Sequence, residues 1–197
     1  MADDLTLRPL AEDEWADAMR LAARSFLNEP FMVEMFGAEP VRRFALAIEF
    51  YRSSAWHDDQ RQLAAFVGDL LVGFCVCSPP GRCRICSDTD PERRPDDQLQ
   101  VSEWQFEVSV QAAHADHGAH AWISRVAVDP VLRGTGIGRT LVSQAIAQVQ
   151  NDGAELVLLE CQPHRENFYL ACGFHRVRTF PDPLGPEAIL MCARLGT

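Results

Sequence analysis

No stretch of this sequence holds the roughly 18–20 consecutive apolar residues that cross a bilayer, so neither a spanning helix nor a membrane partner is expected. A surplus of positive charge is also missing. Acidic residues number 28 against 18 basic ones, a formal net charge of −10, which argues against a general binder of phosphate backbones and predicts no nucleic-acid partner. The opening residues, MADDLTLRPLAEDEW, are acidic and lack an apolar run, so no secretory leader is expected. The cysteines number seven, an odd count that in such a chain reads as reduced thiols in the cytoplasm. There is no repeat of fixed period and no low-complexity tract. What is present is 197 residues, 47% hydrophobic and 23% charged, the composition of one globular domain over residues 1–197 with a core of its own.

Periodicity then gives the elements. Leu5 and Leu7 alternate in a short strand ending at Pro9. Trp15, Ala18, Met19, Ala22, Ala23, Phe26 and Leu27 form one helical stripe, terminated by Pro30. A second helix is expected from about Val41 to Trp56. LAAFVGDLLVGFCVC reads as two strands joined at Gly68-Asp69, and residues 79–97, interrupted by prolines and mixed charge, as a loop. Residues 98–117 stay open. Trp104, Phe106, Val108 and Val110 alternate like a strand, yet Val101, Trp104, Val108 and Ala112 fit a helix. AHAWISRVAV is a strand; Leu141, Val142, Ala145, Ile146 and Val149 form a helical stripe closed by Gly153. ELVLLE, nearly all apolar, is a central strand covered on both faces. A short helix ending at Gly173 and two closing strands, FHRVRTF and AILMCARL, complete an α/β arrangement around one sheet.

The chemistry concentrates in VAVDPVLRGTGIGRT, Val126 to Thr140. A strand here breaks at Asp129-Pro130 and passes through Arg133-Gly134-Thr135-Gly136-Ile137-Gly138 into a helix. Glycines let the backbone turn sharply and approach a ligand, so that several N–H groups aim at one cluster of oxygens; the helix start adds its positive end and Arg133 a charged donor. An anion is the expected ligand. Two familiar phosphate loops are excluded by single residues. A Walker loop requires Gly at 133 and Lys at 139, where the chain has Arg133 and Arg139; a dinucleotide fingerprint from Gly134 requires Gly at 139.

Arg133-x-x-Gly136-x-Gly138, preceded by Val126-Ala127-Val128-x-Pro130, resembles motif A of the GNAT superfamily of acetyl-CoA-dependent N-acetyltransferases. Downstream, Phe168-Tyr169-Leu170-Ala171-Cys172-Gly173-Phe174 is similar to that family's F-Y-x-x-x-G-F element. The two motifs cover about Ala121 to Val177. The resemblance implies a GNAT fold: a central mixed, mostly antiparallel sheet of about seven strands, splayed between strands 4 and 5 and flanked by helices. It implies acetyl-CoA as co-substrate, its pyrophosphate held by Arg133, Gly134, Thr135, Gly136, Ile137, Gly138, Arg139 and Thr140, and its pantetheine arm paired with Val126, Ala127 and Val128. Tyr169 matches the position that often protonates the leaving thiolate; a phenol with a pKa near 10 suits a general acid. Two positions depart from the pattern: Gln162 replaces a common Asn, and Arg165 a common Ala. Some relatives place a helix near the acceptor site between the third and fourth strands, which favours helix over 98–117. The implied activity is acetyl transfer to a primary amine of a small molecule or protein by direct attack; the alternative is a non-catalytic acyl-CoA-binding sensor or regulatory module. A monomer or a homodimer would serve either.

Three residues are candidates for the base: Glu160 at the end of the central strand, His120 and Ser124. Phe31, Met32, Met35 and Phe36 lie where the family shapes its acceptor pocket, and each also fits simple core packing. Cys75-Val-Cys77 and Cys83-Arg-Ile-Cys86 raise the question of zinc. Only five residues separate the pairs, against about 15–20 in paired knuckles, so no metal is expected there. His114, His117 and His120 step by three, but Gly118 argues for a helix end, and no metal is expected there either.

Overall fold

Apolar patterning sets the strands and helices, and glycines with positive φ, among them Gly68 and Gly173, mark turns between them. The computed structural model describes residues 5–53, 60–96, 98–185 and 187–196. The elements run β1 Leu5–Pro9, α1 Trp15–Phe26, α2 Pro30–Phe36, α3 Pro40–Ser53, β2 Arg61–Val67, β3 Leu70–Ser78, α4 Arg84–Asp88, α5 Gln98–His114, β4 Ala121–Val128, α6 Ile137–Asn151, β5 Leu156–Cys161, α7 Glu166–Leu170, β6 His175–Phe180 and β7 Ala188–Arg194. The strands form a seven-stranded sheet of order β1-β2-β3-β4-β5-β7-β6. The β1–β2, β2–β3, β5–β7 and β6–β7 pairs are antiparallel. β4 and β5 are parallel, in register at Ala121↔Val157 and Trp122↔Leu158. This is the mixed, mostly antiparallel sheet flanked by helices that the resemblance implied.

The chain divides into two compact units, Met1–Cys77 with Ile123–Gln148, and Ser78–Trp122 with Val149–Thr197, β4 passing from one into the other. In the first, α1 buries Ala18, Leu21, Ala22 and Ala23 against Met32 and Phe36 of α2, Tyr51 of α3, and Phe66, Phe74 and Val76 of the sheet. In the second, Val110 and Ala113 of α5 pack with Trp122, Leu156, Leu158, Phe180 and Leu190. β5 is buried along both faces, as its unbroken apolar run predicts.

Two boundaries differ from the sequence reading, and one stretch that it left open is decided. Pro30 stands at the first position of α2, where its missing N–H costs nothing and its fixed φ suits a helix start, so it begins a helix that periodicity missed. Within residues 79–97, Arg84–Asp88 form the short helix α4, begun at Cys83. Residues 98–114 are helical. The strand-like alternation arises because Trp104, Phe106 and Val108 are all partly buried on different sides of α5, while Val101 and Val110 are buried. The last residues of the expected Val41–Trp56 helix lie outside the described residues.

Gly73 marks a close approach in the first unit. A Cβ there would meet Leu141 Cδ1 at 3.0 Å, the Ala127 carbonyl oxygen at 3.1 Å and Ile137 Cγ2 at 3.2 Å. Only a residue without a side chain lets α6 lie this close to β3 and β4. Gly73→Val should therefore cost about 1–3 kcal/mol through overpacking, seen as a lower urea midpoint with an unchanged slope. An unchanged midpoint would mean that α6 shifts freely on the sheet.

Candidate functional site

The loop from Asp129 to Thr140 is built from turn chemistry. Asp129 N–H donates to the Val72 carbonyl at 2.9 Å, tying the end of β4 to β3. The Asp129 carboxylate accepts from Val131 N–H at 3.1 Å and pairs with Arg24 of α1 at 3.2 Å. Pro130 to Leu132 then form one tight turn, and Thr135 Oγ1 donates back to the Leu132 carbonyl at 2.7 Å. Gly134 and Gly136 stand at φ 80° and 95°, in the left-handed region that side chains disfavour, and a Cβ at either would meet nothing within 4 Å. Their glycine requirement therefore comes from the backbone alone.

The loop delivers donors. The first intrahelical bond reaches Gly136, whose carbonyl accepts from Thr140 N–H at 3.0 Å and from Thr140 Oγ1 at 3.2 Å. The N–H groups of Ile137, Gly138 and Arg139 precede it and have no acceptor within the helix. Residues 133–136, Arg139 and Thr140 are exposed, while Ile137 is buried and anchors the turn. Arg133, read from sequence as a donor to the anion, spends part of its guanidinium elsewhere: Nη2 donates to the Ser25 carbonyl and lies 3.3 Å from Ser25 Oγ. It fastens the loop to the end of α1. Of the strand residues, Ala127 is fully buried, and Val126 and Val128 are half-buried.

Tyr169 sits on α7, half-buried, with ring centroids 4.9 Å from Phe168 and 6.0 Å from Phe174. Its carbonyl accepts from Cys172 N–H at 2.9 Å and Phe174 N–H at 3.1 Å, and Gly173 at φ 91° lets the chain reverse into β6. The F-Y-x-x-x-G-F spacing is thus a helix followed by its stop. Gln162, at the position of the common Asn, donates to buried Asp182 at 2.6 Å. Burial pushes the Cys161 thiol up to about 12, so it is a poor nucleophile near neutral pH.

The sequence of residues 18–174 matches the Acetyltransferase (GNAT) family. The protein belongs to that family. No curated protein sequence matches the chain. Several solved structures share the GNAT fold. The polyamine N-acetyltransferase of Drosophila melanogaster, described as catalysing formation of N-acetylagmatine, has a TM-score of 0.72 at 16% identity, over 98% of this chain and 100% of its own. A histone acetyltransferase HPA2-related acetyltransferase from Corynebacterium glutamicum has a TM-score of 0.67 at 16% identity, over 98% of both chains. The PaiA N-acetyltransferase of Thermoplasma acidophilum, solved with coenzyme A, has a TM-score of 0.60 at 15% identity, over 97% of this chain and 99% of its own. At these identities the likeness is one of fold. Among the described residues no helix is long and apolar enough to cross a membrane.

The remaining sequence candidates fall into other settings. Met32 and Phe36 are core residues of this GNAT chain, with Phe31 and Met35 packed partly buried against them. Ser124 Oγ lies 3.4 Å from the Val76 carbonyl. Glu160 and His120 are drawn into one polar cluster. Glu160 pairs one oxygen with His114 Nε2 and accepts from Trp122 Nε1 on the other at 2.9 Å; His120 Nε2 lies 3.1 Å from His114 Nδ1. Both oxygens of Glu160 are therefore engaged, which competes with the base role its sequence position suggests. Cys83 and Cys86 join the same cluster, although their spacing from Cys75 and Cys77 had set metal aside. His117 is not in it.

Because Gly136 has open space around its missing Cβ, Gly136→Ala isolates the backbone cost. It should lower stability by about 1–2 kcal/mol, measured by urea unfolding. No loss would mean that the turn relaxes to negative φ.

Proposed function

We propose that the protein transfers an acetyl group from acetyl-CoA to a primary amine of a small molecule or protein, by direct attack of the amine. The observation that carries this reading is the run Gly134–Arg139, with two left-handed glycines and helix-start amides without intrahelical acceptors, in a chain of this family. Such amides suit a pyrophosphate, being fixed partial positive charges that need no reorganisation on binding. Bound acetyl-CoA would supply the acetyl group as an activated thioester.

The chain's own residues divide the rest. Gly134, Thr135, Gly136, Ile137, Gly138, Arg139 and Thr140 hold the anion, and Arg133 keeps the loop on α1. Val126, Ala127 and Val128 offer strand backbone to the pantetheine amides. As the N–C bond forms and the C–S bond breaks, the amine nitrogen loses its proton to water, and Tyr169 gives its phenolic proton to the departing thiolate and recovers one from solvent. Holding donor and amine together supplies most of the rate. No covalent enzyme intermediate is needed, in keeping with the raised Cys161 thiol. The net charge of −10 favours a cationic amine, a direction that the polyamine N-acetyltransferase of the same fold also suggests.

A panel of amines with free-thiol release as the readout tests the activity. Amine-dependent release is expected; tight acetyl-CoA binding with no release on any amine would make the protein a sensor instead. Gly136→Asp, checked for folding by thermal melt, should weaken acetyl-CoA binding by calorimetry at least about tenfold, since it sets a negative charge where the pyrophosphate lies; unchanged affinity would remove the loop from the site. Tyr169→Phe keeps the ring packing, so kcat should fall about 10²-fold with little change in cofactor affinity. Full activity would assign the proton to water or another group, and equal loss in binding and turnover would make the tyrosine structural.

A further inference from the structure

The second unit contains a cluster that the acetyl-transfer reading does not use. Cys83 precedes α4, Cys86 lies within it, His114 ends α5 and His120 stands one residue before β4. One donor atom from each lies within 4.8 Å of all the others, with Cys83, His114 and His120 buried. We propose that these four side chains bind a structural zinc ion.

Distances and lone pairs carry the argument. Zinc bonds of about 2.3 Å to sulfur and 2.0–2.1 Å to nitrogen, at tetrahedral angles, place donors about 3.3–3.8 Å apart. His114 Nδ1 lies 3.5 Å from Cys83 Sγ, 3.8 Å from Cys86 Sγ and 3.1 Å from His120 Nε2. The outer ring nitrogens have partners that fix the tautomers. His120 Nδ1 donates to the Gly118 carbonyl at 2.7 Å, and His114 Nε2 faces a Glu160 oxygen. With the ring protons so placed, His114 Nδ1 and His120 Nε2 turn bare lone pairs towards each other and towards two sulfurs. Two imidazole lone pairs and two sulfurs, which release their thiol protons on binding a metal, suit a cation between them. The carboxylate behind one ring and the carbonyl behind the other are the supports that hold histidines on zinc.

The linear pattern, Cys-x2-Cys followed by His-x5-His, has ligand pairs close to those of closed structural sites. Comparing the two cysteine pairs hid it. Cys75 and Cys77 are buried in β3, and the partners of Cys83 and Cys86 are the two histidines. Glu160 becomes a positioning residue, orienting His114 while its other oxygen holds Trp122. The ion would staple α4 to the end of α5 and the start of β4. In segment 79–97 the ion would add to buried Cys83 and Ile85, the Arg84–Glu107 pair at 3.2 Å, the bonds from Gln111 to the carbonyls of Ile85 and Thr89, and the bond from Trp104 Nε1 to the Asp90 carbonyl at 2.9 Å. Four protein ligands leave no open position, so the site holds structure and does no chemistry.

The test is metal content with a spectroscopic signature. Intact protein, loaded with excess Zn²⁺ and gel-filtered, should retain about one zinc per chain, falling below about a tenth of that in the Cys83→Ser/Cys86→Ser variant and persisting in Cys75→Ala/Cys77→Ala. Co²⁺ added to the metal-stripped wild type should give thiolate-to-cobalt charge transfer in the near ultraviolet and the strong visible bands of a tetrahedral site. Cys86 is exposed, so Cys86→Ser should fold, and it should cut the charge-transfer intensity by about half, one thiolate of two. Wild-type protein that retains no zinc and gives no cobalt spectrum, or a spectrum that survives in Cys83→Ser/Cys86→Ser, overturns the proposal. None of these readouts depends on acetyl transfer.

Discussion

Three backbone amides at the start of α6, those of Ile137, Gly138 and Arg139, have no acceptor within the helix, and the first unit is arranged to fix where they point. Gly73 lets α6 come within contact distance of β3 and β4. Buried Ile137, Leu141, Val142 and Ala145 hold the helix there. Asp129 ties the end of β4 to β3 and to Arg24, and Arg133 ties the loop to Ser25. The glycines at 134 and 136 then need only the left-handed backbone that turns the chain into the helix. A loop bound on so many sides keeps its donors in place without a ligand, which lowers the cost of ordering them on binding.

Much of this was legible in the sequence because it is local. The β1 and β5 strands, the Gly68 hairpin, the α6 stripe and the Gly173 stop each follow from residues close together in the chain, and motif A lies within fifteen residues. What failed locally failed for a physical reason. Pro30 reads equally as a stop for the helix before it and a start for the next, and only the chain leaving Glu29 in an extended conformation decides for the start. α5 buries apolar residues on more than one side, which blurs its helical period into an alternation.

Side-chain destinations were less legible than elements. Arg133 carries the motif's charge, but its bond to Ser25 joins residues more than a hundred positions apart, and no local pattern signals it. The Cys83, Cys86, His114 and His120 cluster draws on three elements, one of them the ambiguous α5. Had α5 been firmly a helix ending at His114, the turn at Gly118 would have been visible as the device that brings His120 back towards it. Glu160 shows the same limit: its place at the end of a central strand suggests a base, and no local pattern signals its contacts with His114 and Trp122, which compete with that role.

The loop amides can be observed directly by two-dimensional ¹⁵N–¹H NMR of the labelled protein titrated with coenzyme A. If they receive the pyrophosphate, the largest and saturating shift changes fall on Gly134 to Thr140, with those of Ile137, Gly138 and Arg139 moving downfield as their N–H groups gain charged acceptors. Saturable binding that leaves these amides unmoved, or that perturbs only residues outside the first unit, would contradict the account.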